Sequence, residues 1–246
     1  MDSTTLKIEE KKISDFLGQK IFLNQPNISA EDAEKFKKFG FDLHFLPEIE
    51  LSESHKFVDW REGPKRNFYQ LINQGKLSKN SLSLSGKWVL IDGRAKPVRC
   101  YPWLAKDDVL VVLSEKILGI NWLKKCRGFS KQQYENDFLL EILKKNGFNS
   151  RFSLTWQQID EIIKLEVAKI LSIDSSKIRL PKFVEWNFLG SLFYPEWGQT
   201  STWEWFSDRL KTGECLAGGA GSLSALGWDP PDLWSNILGF RFLVEI

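Results

Sequence analysis

His44 and His55 are the only histidines in this chain of 246 residues, and Cys100, Cys126 and Cys215 are its only cysteines. These five residues bound the chemistry it could perform. A metal centre built on imidazole, or a Ser-His-Asp triad, would have to recruit His44 or His55, since triads assemble in space rather than in sequence. Neither histidine lies near a cluster of nucleophiles or carboxylates that would suggest such a site. The cysteines are odd in number and widely spaced, which fits reduced thiols better than a disulfide framework. Asp229 and Asp232 could contribute to a calcium site. Two carboxylates alone fall short of the roughly six to eight oxygens that calcium takes. The expectation is therefore no catalytic residue, no metal and no cofactor.

Composition narrows the class further. A hydrophobic fraction of 42% with 27% charged residues is that of an ordinary globular chain. The net charge of +2 and the lack of a Lys/Arg stripe argue against a nucleic-acid partner. Charge is unevenly placed, because residues 194–246 hold Arg209, Lys211 and Arg241 against seven acids. That region would repel phosphate. The opening Met1-Asp2-Ser3-Thr4-Thr5 leads into charged residues rather than an apolar run, so a cytoplasmic chain is expected. Surface or virion display would need a signal-independent route. No apolar stretch approaches the ~20 residues of a membrane span. Seven of the eleven tryptophans lie between Trp156 and Trp234, which predicts a rigid aromatic core there.

The elements that would position such residues follow from periodicity. Residues 1–80 read as a mainly helical N-terminal segment. Ser29 is a cap with Glu31 and Asp32 in the first turn, Gly40 is a stop, and a further helix covers Asn67 to Asn73. From Gly86 the pattern changes, and Lys87 to Gly93 reads as a strand ending in a turn. The stretch Asp107–Leu118 is strand or helix, and Lys131–Asn146 is an amphipathic helix closed by Gly147. Thr155 caps a second helix with the apolar stripe Ile159, Ile162, Ile163, Val167 and Ile170. A third helix starts at Pro181. After Gly190 glycine is dense, and Trp203 and Trp205 share one face of a strand. Gly239–Val244 reads as one compact final strand. Helices followed by irregular β-structure point to α+β.

Four short signatures occur in order within the second unit, residues 81–246. They are Arg179-Leu180-Pro181-Lys182-Phe183-Val184-Glu185-Trp186, Trp203-Glu204-Trp205-Phe206-Ser207-Asp208, Leu216-Ala217-Gly218-Gly219 and Leu238-Gly239-Phe240-Arg241-Phe242-Leu243. Together they resemble the formylglycine-generating-enzyme branch of the C-type lectin fold, over residues 150–246. Within that branch the chain is most similar to the variable proteins of diversity-generating retroelements, in which a reverse transcriptase rewrites the 3′ end of the gene. The resemblance implies a C-terminal variable region over about 205–246. The rewritten codons would fall between the Gly-Gly segment and the terminal Gly-Phe-Arg.

The ligand-binding residues expected in that window are Ala220, Ser222, Ser224, Ala225, Gly227, Trp228, Asp229, Asp232, Leu233 and Trp234. The ligand would be a macromolecule, a protein rather than nucleic acid. Trp228 and Trp234 offer large contact area with few rotatable bonds, and Pro230 and Pro231 stiffen the loop. Glu185, Trp203, Trp205 and Arg241 are expected to be structural, with Asp208 a candidate partner for Arg241. Two alternatives stand beside this reading. A metal-dependent oxidase of the formylglycine-generating type would need a cysteine pair near the Gly-Gly segment, where only Cys215 lies. An assembly protein would use the N-terminal segment to dock a partner or to form a homo-oligomer.

Overall fold

The computed structural model describes residues 2–53, 55, 66–94, 138–148, 151–152, 154–200, 202–235 and 237–246. Helix α1 (Ser3–Leu17) starts on the Asp2 carboxylate, which accepts from the Thr4 and Thr5 N–H groups. Helix α2 (Ala30–Lys38) is capped by the Ser29 hydroxyl and stops at Gly40, whose φ of 82° suits glycine. The chain then enters strand β1 (Phe41–Leu46), which the mainly helical reading of this segment missed. Helix α3 (Arg66–Asn73) and strand β2 (Lys87–Asp92) follow. The expected segment at Asp107–Leu118 and the first part of the helix at Lys131 lie outside the described residues. Helix α4 covers Phe138–Lys145, and Gly147 follows with φ of 82°.

Helix α5 (Trp156–Gln158) opens on a capping box. Thr155 Oγ1 accepts from the Gln158 N–H, and the Gln158 side chain accepts from the Thr155 N–H. A π-helical turn at Ile159–Ile163 leads into helix α6 (Lys164–Leu171). The wider i→i+5 turn shifts the expected stripe. Ile159, Ile163, Val167 and Leu171 are buried at four-residue steps, while Ile162 and Ile170 turn out to solvent.

Strand β3 (Ile178–Arg179) precedes helix α7 (Phe183–Leu192), whose ten residues are all buried. A helix apolar on every side belongs inside a fold. Pro181 lies two residues before the first helical position rather than at it, because Lys182 is the N-cap. The free N–H groups are met by acids instead. Glu185 accepts from Lys182 N–H at 2.7 Å, and Asp208 accepts from Phe183 N–H at 2.7 Å.

The remaining strands among the described residues are β4 (Trp203–Arg209), β5 (Cys215–Gly218), β6 (Leu226–Asp229), β7 (Leu238–Gly239) and β8 (Leu243–Glu245). They form two four-stranded sheets ordered β1-β2-β8-β3 and β6-β5-β4-β7. The fold is thus α+β, and residues on both sides of position 80 share one sheet. Gly239–Val244 is not a single strand. Leu238–Gly239 runs parallel to β4 in one sheet, and Leu243–Glu245 runs antiparallel to β2 in the other.

Both sheets are covered on both faces. Phe206, Leu216 and Leu243 join a core with α1, α3 and α7, while Trp205, Ala217 and Val244 join one with α4, α5 and α6. Trp186, Trp197 and Trp205 are wholly buried. Each removes on the order of 200 Å² from water, about 5 kcal/mol before conformational entropy is subtracted. The indole N–H groups of Trp186 and Trp205 reach Glu204 and the Leu154 carbonyl, at 2.7 and 3.2 Å.

Candidate functional site

The C-terminal window is built outward from Gly218, the last residue of β5. A Cβ there would lie 2.3 Å from the Ala225 carbonyl oxygen and 2.9 Å from the Phe206 ring, so only glycine lets the two backbones meet. Gly219 then turns with φ of 90°, and its N–H donates to Ala225 O at 3.0 Å. The loop folds back onto α7. Leu223 is fully buried against Gly190, and Asn187 Nδ2 donates to Leu223 O at 2.9 Å.

This packing divides the expected site residues. Ser224 is fully buried beneath the loop, with its backbone N–H held by Ser222 Oγ at 3.1 Å, so it is scaffold rather than ligand contact. Ala220, Ser222, Ala225 and Gly227 are half-buried. Gly227 lies beside the Trp203 ring, where a Cβ would fit at 3.5 Å.

The second half of the window faces outward. Among the described residues β6 pairs only with β5, setting Trp228 opposite Leu216 and Asp229 opposite Cys215. Trp228 is 42% exposed and Trp234 is 63% exposed. Between them the chain makes a short turn, with Leu233 N–H donating to Pro230 O at 3.0 Å. Leu233 packs inward on the core, while Asp232 is exposed. Pro231 O accepts from Gln157 N–H at 3.3 Å, which ties the turn to the start of α5. Trp203 N–H donates to Ile237 O at 2.8 Å and fixes the far end. A loop held at both ends can present side chains without relying on them for the core.

Below this surface the charges are structural. Arg241 is buried, with Nε and Nη2 each 2.7 Å from a Glu204 oxygen and its guanidinium 3.7 Å from the Trp197 ring centroid. Its expected partner Asp208 instead caps α7. Asp92 is held by Arg94 and Arg151 at 2.7 and 2.6 Å. Burial alone would raise its carboxyl, yet these guanidiniums hold it well below the usual carboxylate range. Glu185 accepts both from backbone and from Arg179, matching its expected structural role.

His44 is the residue that most resembles catalytic machinery. Its Nδ1 lies 3.2 Å from Glu9, its Nε2 lies 2.6 Å from Tyr194 Oη, and Tyr194 Oη donates to Asp42 at 2.8 Å. Sequence reading missed this chain of groups because its hydrogen-bonded pairs are 35 to 152 residues apart. It is buried and both imidazole nitrogens are occupied. Burial and the Asp42 charge push the Tyr194 hydroxyl far up, so it stays protonated. The arrangement locks α1, β1 and the end of α7 together. His55 stands apart, its Nδ1 accepting from Ser52 N–H at 3.0 Å beside a surface groove of about 850 Å³.

Cys215 is the one cysteine among the described residues, and Cys100 and Cys126 lie outside them. It is buried, and burial pushes its thiol up, so it is a poor nucleophile as it stands. Among the described residues no group of three or more His, Cys, Asp or Glu could hold a metal ion. No described helix is long and apolar enough to cross a membrane. Compared with known protein families, curated proteins and solved structures, the chain gives no significant match in any of the three.

Proposed function

We propose that this chain is a ligand-binding protein that meets a macromolecular partner, a protein, through its surface from Leu226 to Ser235. The observation that carries the reading is the pair Trp228 and Trp234, exposed on a segment whose two ends are fixed by backbone hydrogen bonds. Large exposed aromatics on a pre-ordered loop lower the ordering cost of binding and concentrate contact area. The finer reading is a C-type-lectin-like scaffold of the formylglycine-generating type, displaying a diversified loop as retroelement variable proteins do. It is supported by the positions of the four signatures. They cap α7, form β4, close the Gly218 turn and carry the crossover at Arg241, while Trp228, Asp232 and Trp234 between the last two reach the surface.

The test is to sequence the DNA just downstream of the stop codon. The expected finding is a near-copy of the 3′ end of the gene beside a reverse-transcriptase reading frame. The copy should differ at adenines that fall in the codons for Trp228, Asp229, Asp232 and Trp234. Its absence would reduce the proposal to an undiversified binding surface and bring the oxidase alternative back into play.

A further inference from the structure

Four side chains from three parts of the chain meet end to end beneath α1. Glu9 of α1 has its two carboxylate oxygens 3.3 and 3.2 Å from His44 Nδ1, and accepts from Phe45 N–H at 2.9 Å. His44 Nε2 lies 2.6 Å from Tyr194 Oη, which in turn lies 2.8 Å from Asp42 Oδ2. Asp42 and His44 belong to β1, and Tyr194 follows the end of α7. Glu9, His44 and Tyr194 are buried. The far end is tight as well, because a Cβ on Gly93 would lie 2.0 Å from Asp42 Oδ2 and 2.7 Å from Tyr194 Oη. Among the described residues, the other charged groups packed around the cluster come from three elements. Lys12 of α1 lies over the Phe193 ring, which rests against His44. Arg241 lies on Trp197, which stacks on Tyr194 at 4.3 Å. Asp92 and Arg94 flank Gly93 at the end of β2 and pair with each other. Opposite His44 itself, β2 places the uncharged Val89.

Three contacts in a row need three protons, one between each pair of facing atoms. A neutral tyrosine brings one and a neutral imidazole brings one, while ionised carboxylates bring none. With only those two protons, one of the three contacts would set lone pair against lone pair in a buried site. We infer that the folded chain holds a third proton on this cluster, and that this proton makes the attachment of α1 a pH-sensitive clasp. Tyr194 donates to Asp42, so the third proton falls on His44, which then donates from both ring nitrogens. Burial and the Asp42 charge keep the Tyr194 hydroxyl from ionising, so it goes on supplying its own proton as the pH rises. An unfolded histidine is neutral above about pH 7.5. There the folded state binds one proton more than the unfolded state, so stability falls as the pH rises. The joint that weakens is the one between α1, which carries Ile13 and Phe16 into the core, and the sheet that begins with β1.

Urea unfolding of the full chain at two pH values reads the extra proton. Going from about pH 7.5 to about pH 8.5 should raise the unfolding constant of the parent at least about threefold, and up to about tenfold, more than that of Asp42→Asn. The amide introduced there can donate to Tyr194 Oη, which frees Tyr194 to donate to His44 and a neutral His44 to donate to Glu9. All three contacts then persist without the third proton. Tyr194→Phe removes two of the contacts and should lose the extra pH slope as well. Groups elsewhere titrate alike in the three proteins, so the difference in slope belongs to the cluster. Because His44 and His55 are the only histidines, nitrogen NMR of the histidine-labelled chain locates the proton. At about pH 7.5 His44 should show two protonated ring nitrogens in the parent and one in Asp42→Asn. A bare ring nitrogen on His44 in the parent would overturn the inference, and so would equal pH slopes in the parent and Asp42→Asn. If neither variant folds, the nitrogen spectrum of the parent decides alone.

Discussion

Replacing Arg241 with methionine tests how the two sheets are held together. Arg241 sits where the chain leaves β7 for β8, and only 2% of it is exposed. It makes two 2.7 Å bonds to Glu204 on β4 and one of 2.5 Å to the Asp92 carbonyl at the end of β2, so it touches both sheets at once. Removing it takes two charge-assisted bonds from the buried Glu204 carboxylate, which keeps the Trp186 indole N–H. Breaking a buried ion pair by removing one partner costs about 3–5 kcal/mol. In a chain of this size that lowers the melting temperature by roughly 6–20 °C. Glu204→Gln should cost somewhat less, because Arg241 keeps its carbonyl acceptor and its stacking on Trp197. The double variant is the decisive one. With both charges gone neither is left without the other, so its loss should fall short of the sum of the single losses by at least about 2 kcal/mol. Urea unfolding of the four proteins, followed by tryptophan fluorescence, measures this coupling. Additive losses would show that the two side chains act independently and that the buried pair does not join the sheets.

Three further outcomes follow from other parts of the fold. Burial pushes Asp208 up to about 6 from 3.8, so the folded state prefers it protonated. The stability tied to this group is full below about pH 4 and is lost as pH rises through 6. The shift corresponds to about 3 kcal/mol, less up to ~1 kcal/mol because the α7 N-terminus favours the anion. Asp208→Asn keeps an acceptor for the Phe183 N–H and should flatten the difference in urea midpoint between pH 4 and pH 7; an unchanged pH slope would refute the assignment. Gly218→Ala forces a methyl to within 2.3 Å of a backbone oxygen, and should cost at least about 3 kcal/mol or prevent folding. A variant that melts within 2 °C of the parent, roughly 0.5–1 kcal/mol, would mean the turn is not as tight as described. Alkylation of Cys215, mapped by mass spectrometry, should be on the order of 100-fold slower in the native chain than in urea. Comparable rates would show that the thiol is accessible.

What could be read from the sequence was local, and what was missed depended on distant partners. The caps at Ser29 and Thr155 were legible because each uses a side chain three residues from the N–H it meets. The start of α7 was placed two residues early because a proline suggested the first turn, whereas the caps come from Glu185 and the remote Asp208. The partner of Arg241 was misjudged for a related reason. Glu204 and Asp208 lie four apart on β4, equivalent choices on a regular strand, but the register shifts between Trp205 and Arg209 and sends them to different tasks. Strand β1 alternates in Phe41, Leu43 and Phe45, a signal hidden within a charged, helix-rich stretch. The outward turn of Ile162 follows from a π-turn that periodicity at 3.6 residues cannot register.

The same distinction bears on the loop. Exposure separates Trp234 from the tryptophans of the core, but sequence gives them the same letter. Trp205 has no exposed surface, and truncating it should cost ~3–5 kcal/mol. Trp234 keeps 63% of its surface in water, so the area it buries, on the order of 90 Å², is worth at most about 2 kcal/mol. Trp228, at 42% exposed, lies between them, so part of its ring is held against the fold. Substitution is therefore tolerated freely at Trp234 and Asp232, less freely at Trp228, and hardly at all at Leu223 or Ser224. If the loop is diversified, substitutions among natural copies should follow that gradient of burial. An even spread of changes from Ala220 to Leu238 would contradict it, since Leu223 and Ser224 hold the turn against α7.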